Sequence, residues 1–171
     1  YSKLFEKKNN NLHKKNILQK KIVSNILKRE YDETCNYYLF RKNYLIKNKI
    51  FFGKGFYEDR IFLLKSFFFA KIIRRINLKA YIKIPRKNSI VNSFSKKHII
   101  DFINSSIQKN IFINKNFKIK AYNYKKDLQY GLRGDFVHIF KKSLMFKNNM
   151  YGNSIIKSYL NIINLNYKIR T

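Results

Sequence analysis

His98-Ile99-Ile100-Asp101-Phe102-Ile103, then Asn104-Ser105-Ser106, then Ile107-Gln108-Lys109-Asn110-Ile111-Phe112-Ile113 is the passage that decides the fold class. Two short runs rich in Ile and Phe flank three small polar residues. β-Branched and aromatic side chains suit a pleated, half-buried surface, and a short polar break between two such runs reads as a turn. The passage therefore predicts a β-hairpin.

The neighbouring segments extend that reading. Asn114 and Asn116 offer a further turn, and residues 117–126 then alternate for the most part between apolar and polar. On the N-terminal side, Asn77 to Ile84 alternates toward an extended segment, and Pro85 stops it. Gly53-Lys54-Gly55 breaks the chain earlier, and Glu58 and Asp59 precede the apolar run Ile61 to Ile73. Two acids there suit the first turn of a helix, where the macrodipole favours negative charge. Residues 50–126 thus read as an α+β core, a small antiparallel sheet of about three strands with a helix.

An extension is expected on each side of this core. Residues 1–49 begin with Leu18, Ile22 and Ile26 at four-residue spacing among lysines, an apolar stripe on a basic helix. In residues 127–171, Gly131 and Gly134 flank Arg133 and suggest a loop. Ile155, Ile156, Tyr159, Leu160, Ile162 and Ile163 then fit one face of a closing helix. No internal repeat and no polar linker divides the chain.

Charge narrows the function. The 171 residues hold 38 Lys and Arg against 9 Asp and Glu, a formal charge of +29. Packing that many cations together is costly unless a polyanion neutralises them. Because 45% of residues are hydrophobic, the chain is also no disordered basic tail. Lys, Asn, Ile, Phe and Tyr supply 106 residues, whereas Gly, Ala, Arg and Pro supply 17. The first group is read from A/T-rich codons, so the encoding genome is strongly A+T-rich, as in many organelles.

Catalytic groups are sparse. His13, His98 and His138 lie nowhere at the i, i+4 spacing of a helical metal site. Gly53-Lys54-Gly55 lacks the spacing of a phosphate-cradling loop and has no Ser or Thr after its lysine. Cys35, the one cysteine, excludes an internal disulfide and has no placed His to activate it. Asp101, Asp127, Asp135 and His138 could in principle build a nuclease metal site, but each reads more readily as a lone surface acid or ion-pair partner among lysines. No enzyme activity, cofactor or metal is expected.

Cations interleaved with aromatics are the stronger signal. Arg74, Arg75, Arg86, Lys87, Lys96, Lys97, Lys118, Lys120, Lys125 and Lys126 are spread through the core segments. Sequence-independent phosphate neutralisation needs such a spread, because each contact releases counterions. Tyr and Phe nearby can stack on unpaired bases, although most of them belong in a core. No helix-turn-helix, zinc-finger or RNA-recognition signature accompanies them.

Several fragments, taken in order, resemble one family, small-subunit ribosomal protein nineteen of the universal scheme. That family opens with Lys-Gly-Pro-Phe-x-Asp and Leu-Leu-Lys, and here Lys54-Gly55-Phe56-Tyr57-Glu58-Asp59 precedes Leu63-Leu64-Lys65. Its basic pair and Ser-Thr-Ile correspond to Arg86-Lys87-Asn88-Ser89-Ile90. Its Asn-Gly-Lys hairpin corresponds to Asn104-Ser105-Ser106, and Lys118 to Tyr124 stands where the family has Gly-His-Lys-Leu-Gly. Phe56 replaces the Pro, Ser105 replaces the hairpin Gly, and the Gly-His pair is missing.

The resemblance implies a three-stranded sheet with a helix, lodged in the head of the small ribosomal subunit. It implies binding to small-subunit rRNA beside a neighbouring head protein such as protein thirteen. Lys109 joins the expected phosphate contacts, and Lys54 and Gly55 would stand at a close backbone approach. The A+T bias and the two extensions point to an organellar ribosome, mitochondrial before plastid. The alternatives are a ribosomal protein of another position or of the large subunit, an RNA-processing or nuclease subunit, and a protein docked on a membrane surface by residues 1–29. No stable membrane insertion is expected, since no run approaches the ~18–20 apolar residues of a membrane span.

Overall fold

The computed structural model of the chain describes residues 15–16, 18–75, 81–82, 84, 95–116 and 124–144. Among them are five α-helices: α1 (Gln19–Lys28), α2 (Lys42–Lys47), α3 (Glu58–Phe68), α4 (Lys96–Lys115) and α5 (Tyr124–Leu144). The described β structure is one short antiparallel pairing, β1 (Lys15–Asn16) with β2 (Arg74–Arg75), in which Lys15 faces Arg75. Among the described residues the architecture is helical, and the expected three-stranded sheet is not seen.

The hairpin reading fails in a specific way. Residues 96–115 form one helix, with Asn104-Ser105-Ser106 in its middle. Ile99, Phe102, Ile103, Ser106, Asn110 and Ile113 are buried, and their steps of three, four and seven follow one face of a helix. Ile100 and Ile111 lie on the outside, 45% and 60% exposed. A genome that writes Ile at solvent positions hides helical periodicity behind apparent β composition. Ser105 and Ser106 do not turn the chain either. The Ser105 hydroxyl donates back to the Phe102 carbonyl at 2.7 Å, the local bond that lets Ser sit inside a helix, and the Ser106 oxygen lies 3.2 Å from the same carbonyl. The start of α4 is fixed by the Ser95 N–H, which donates to His98 Nδ1 at 3.1 Å.

A second correction concerns α5. It absorbs residues 124–126 of the alternating segment and runs through Gly131 and Gly134, where a loop was expected. The boundary drawn after residue 126 therefore falls within a helix. A Cβ at Gly131 would run into the Leu27 carbonyl oxygen, so this glycine lets the end of α1 lie directly on α5. Helix α3 forms where expected, with Glu58 and Asp59 in its first turn. So does α1, whose Ile22 and Ile26 are buried while Leu18 stands outside at 77% exposure.

Helix α1 packs on α3 and α5, and α4 packs on the same two, so the four long helices form a ring around one core. Phe62, Leu63, Leu64, Phe67 and Phe68 of α3 fill it from one side, and Phe102, Phe112 and Ile113 of α4 from the other. Phe68 meets Phe112 and Tyr124 at centroid distances of 5.1 and 5.9 Å. Helix α2 is tied to α3 by the Tyr44 hydroxyl, which donates to the Ser66 carbonyl at 2.6 Å. The expected extended segment 77–84 lies largely outside the described residues. The closing helix at 155–163, Asn88 to Ile90 of the basic-pair motif and residues 117–123 lie outside them altogether.

Candidate nucleic-acid interface

The arrangement of the surface begins with what the core does with charge. Arg60 of α3 is 3% exposed and stands in the middle of the helix ring. Its Nη2 donates to both carboxylate oxygens of Asp135 at 2.7 and 2.6 Å, its Nε to Glu33 at 2.7 Å, and its Nη1 to Ser105 and Ser106 at 2.6 and 3.1 Å. Ser106 also donates to Asp135 at 2.7 Å, and the guanidinium lies 4.2 Å from the centre of the Phe102 ring. Lys109 of α4 is equally buried and pairs with Glu33. Arg29, at the end of α1, reaches Asp135 with 3.3 Å between Nε and Oδ1.

This network is compact because each helix delivers its part to one point. Arg60 comes from α3, the two serines and Lys109 from α4 and Asp135 from α5, and Arg29 is the residue that caps the end of α1. Burial alone would lower the Arg60 value, but Glu33 and Asp135 outweigh it and hold the guanidinium charged. Burial alone would raise the Asp135 carboxyl, but Arg60 and Lys109 hold it below its ordinary range. Lys109 is held below its ordinary value, first by burial and then by Arg60, against the pull of Glu33.

Other acids are engaged too. Asp127 pairs with Lys28 at 3.6 Å. Asp101 accepts from Lys97 at 2.8 Å and from the Phe56 N–H at 2.9 Å; burial would raise it, but these donors hold it below its ordinary value. Asp59 accepts from the Cys35 N–H at 3.1 Å, and Asp32 from the Thr34 hydroxyl at 2.6 Å. Much of the scarce negative charge among the described residues therefore holds the chain together, while Glu30 and Asp32 remain exposed beside a larger number of exposed cations.

Asp101, Asp127, Asp135 and His138, the set a nuclease would need, are thus held by lysines, two arginines and a backbone N–H, or turned into the core. His138 is half-buried and its ring meets Phe102 at 5.4 Å. Burial, then Arg29 and Lys142, hold His138 below its ordinary value. Among the described residues no group of three or more His, Cys, Asp and Glu gathers as a metal site would require. The Cys35 thiol is pushed up by burial and by Asp59, which disfavours the nucleophilic thiolate.

Of the residues expected to meet RNA, Lys54, Gly55, Arg74, Arg75, Lys96, Lys97 and Lys126 are exposed, and Lys125 is half-buried. Arg86, Lys87, Lys118 and Lys120 lie outside the described residues. Lys109 is a correction: its side chain is enclosed by the helix ring and paired with Glu33, so it is withheld from any phosphate. Lys54, Gly55 and Lys97 do come together, at one corner. There the close approach at Gly55 (φ +97°) is made by the chain's own Asp101, whose carboxylate a Cβ would meet at 2.8 Å. Lys97 also lies 5.2 Å from the centre of the Phe56 ring. A cavity of about 300 Å³ beside this corner is lined by Lys54 but also by Glu58 and Asp101, so its mixed charge does not suit a phosphate.

Sequence reasoning passed over the exposed cations that precede Lys54 in the chain. Arg41, Lys42, Lys47, Lys49 and Lys54 are all exposed, and no acid occurs between Glu33 and Glu58. Phe51 and Phe52 stand among them at 64% and 54% exposure. The missing signal was legible as that acid-free interval, which pairwise inspection of basic dipeptides does not reveal. Among the described residues no helix is long and apolar enough to cross a membrane. Comparison with protein families, with curated proteins and with solved structures finds no match to this chain.

Proposed function

We propose that this chain is a structural, rRNA-binding protein of an organellar ribosome, most simply a mitochondrial one. The observation that carries the reading is the use of acid: Glu33, Asp101, Asp127 and Asp135 are taken up by the chain's own cations, while among the described residues exposed Lys and Arg far outnumber exposed Asp and Glu. Such a surface neutralises phosphates along a folded RNA without reading its sequence. The strong charge then serves assembly, because the polyanion removes the self-repulsion that the free chain bears.

The position within the ribosome is a separate matter. Helix α4 occupies residues 96–115, where the resemblance to small-subunit protein nineteen calls for a hairpin. That favours a ribosomal protein of another position over the subunit-head placement beside protein thirteen. Sedimentation of native lysate at low magnesium, with this chain followed through a high-salt wash, tests both levels. Retention on either subunit supports the class, and the subunit it follows supplies the position. Recovery at the top of the gradient would end the ribosomal reading.

A further inference from the structure

Phe52 is the residue the fold prepares with most care outside its core. Its ring lies parallel to that of Phe62, 4.0 Å between centroids and 7° between planes. Phe62 is 3% exposed and is braced edge-on by Phe40 at 5.5 Å. One face of Phe52 is therefore set on a rigid support, while the residue as a whole is 54% exposed. Phe51 stands beside it, 64% exposed, and Gly53 follows, where a Cβ would meet nothing within 4 Å. The backbone after the rings is thus open to close approach.

The surroundings decide what such a surface takes. An exposed aromatic pair meant for a protein neighbour is ordinarily rimmed by charges of both signs or by polar groups. Here exposed Lys49 and Lys54 flank the rings in sequence, Arg41, Lys42 and Lys47 precede them, and the interval contains no acid. A flat π surface beside exposed cations matches a flat ring joined to a phosphate. An RNA duplex offers the phosphates but keeps its base faces stacked; an unpaired nucleotide offers both.

We propose that Phe52, supported by Phe62 and accompanied by Phe51, is a stacking platform for an unpaired base of the bound RNA, with Lys49 on the adjoining phosphate. The proposal rests on the RNA-binding reading and specifies what part of the RNA this face takes. Other cationic surfaces, such as Arg74 and Arg75 on β2, supply contacts to which base pairing is indifferent.

The chain has no Trp, so Phe52→Trp places a single indole at the platform. Purified full-length protein is titrated with a short oligouridylate and with an RNA duplex of equal phosphate count, over a range of salt. Phe52→Leu is expected to weaken oligouridylate binding by about 5- to 150-fold, the range that loss of one base–aromatic stack produces. Its duplex affinity and its salt slope stay as in the parent chain. Phe52→Trp keeps the affinity, and its fluorescence is quenched by the oligouridylate and not by the duplex. The helical circular dichroism of each variant separates lost stacking from lost folding.

If both RNAs bind and neither variant separates them, the platform is overturned while the RNA-binding reading stands, and the rings belong to a protein neighbour. Equal quenching by duplex and oligouridylate also overturns it. If the parent chain binds neither RNA at any salt, both readings fall.

Discussion

Arg60 and Lys109 in the helix ring, and Lys47, Lys49 and Lys54 on the rim, are the same chemical types put to opposite uses. The first two are nearly inaccessible and meet Glu33 and Asp135; the other three are exposed on a stretch with no acid. Where a carboxylate can be brought to a cation in the interior, the pair locks helices to one another. Where none is available, the cation is left for an outside partner. With so few acids in the chain, the position of each one sorts the cations into these two groups. The tight end of the sorting is Asp135, which holds Arg60 through two bonds and Arg29 through a third contact.

The largest test of this contrast removes that acid. Asp135→Ala leaves Arg60 buried with a single carboxylate partner and Arg29 with none of its ion pair, and is expected to cost about 3–5 kcal/mol of unfolding free energy. Replacing both sides, as Arg60→Met with Asp135→Leu, is expected to cost less than the sum of the two single changes, because no lone charge remains in the core. Urea unfolding of the four chains gives the cycle. Strict additivity would mean that the buried cluster is not a coupled unit.

Acid attacks the same region more gently. The folded Asp135 carboxyl sits below its ordinary range, so the unfolded chain takes up that proton first as the pH falls. Stability from this group is therefore complete above about pH 4 and is lost below it, as the pH drops through the folded value. His138 also sits below its ordinary value, so the unfolded chain protonates at His138 first, and stability declines as the pH falls below about 6.5. The two effects share a sign, but His138 is half open to solvent and its step is the shallower. The melting temperature, followed from pH 8 to 3, should fall in a shallow step and then a steep one. His138→Gln should erase the first step and leave the second. A melting temperature that climbs between pH 8 and 5 would contradict both assignments.

How far the sequence exposes this design depends on which physical signal survives the A+T bias. Charge survives: the excess of cations is plain from composition. Helix α3 is legible because Glu58 and Asp59 mark its start, and α1 because Ile22 and Ile26 keep their spacing among lysines. Helix α4 is obscured because Ile100 and Ile111 place apolar side chains on the solvent face, where a polar residue would have shown the period. Gly131 misleads for another reason. A helix-interior glycine looks like a break until α1 is laid against it, and that contact is tertiary. Lys109 fails in the same manner. Its neighbours in sequence give no hint that Glu33, from a distant segment, will meet it inside the ring.

The rim gives the smallest effect on folding and the clearest contrast with the core. Lys47, Lys49 and Lys54 are exposed, so changing all three to Ala should move the unfolding free energy by no more than about 0.5 kcal/mol per site. The sign should lean toward stabilisation, since the chain sheds three of its excess positive charges. Binding should respond differently. Each phosphate contact contributes about 0.7–0.9 to the slope of log affinity against log salt, so the triple variant should flatten that slope by about 2 if all three meet phosphates. Denaturation and salt titration on the same preparation separate the two outcomes. A loss of stability as large as that of Asp135→Ala would place these lysines in the structural group after all. An unchanged slope with unchanged stability would mean that their phosphates are met elsewhere, by cations such as Arg74 and Arg75.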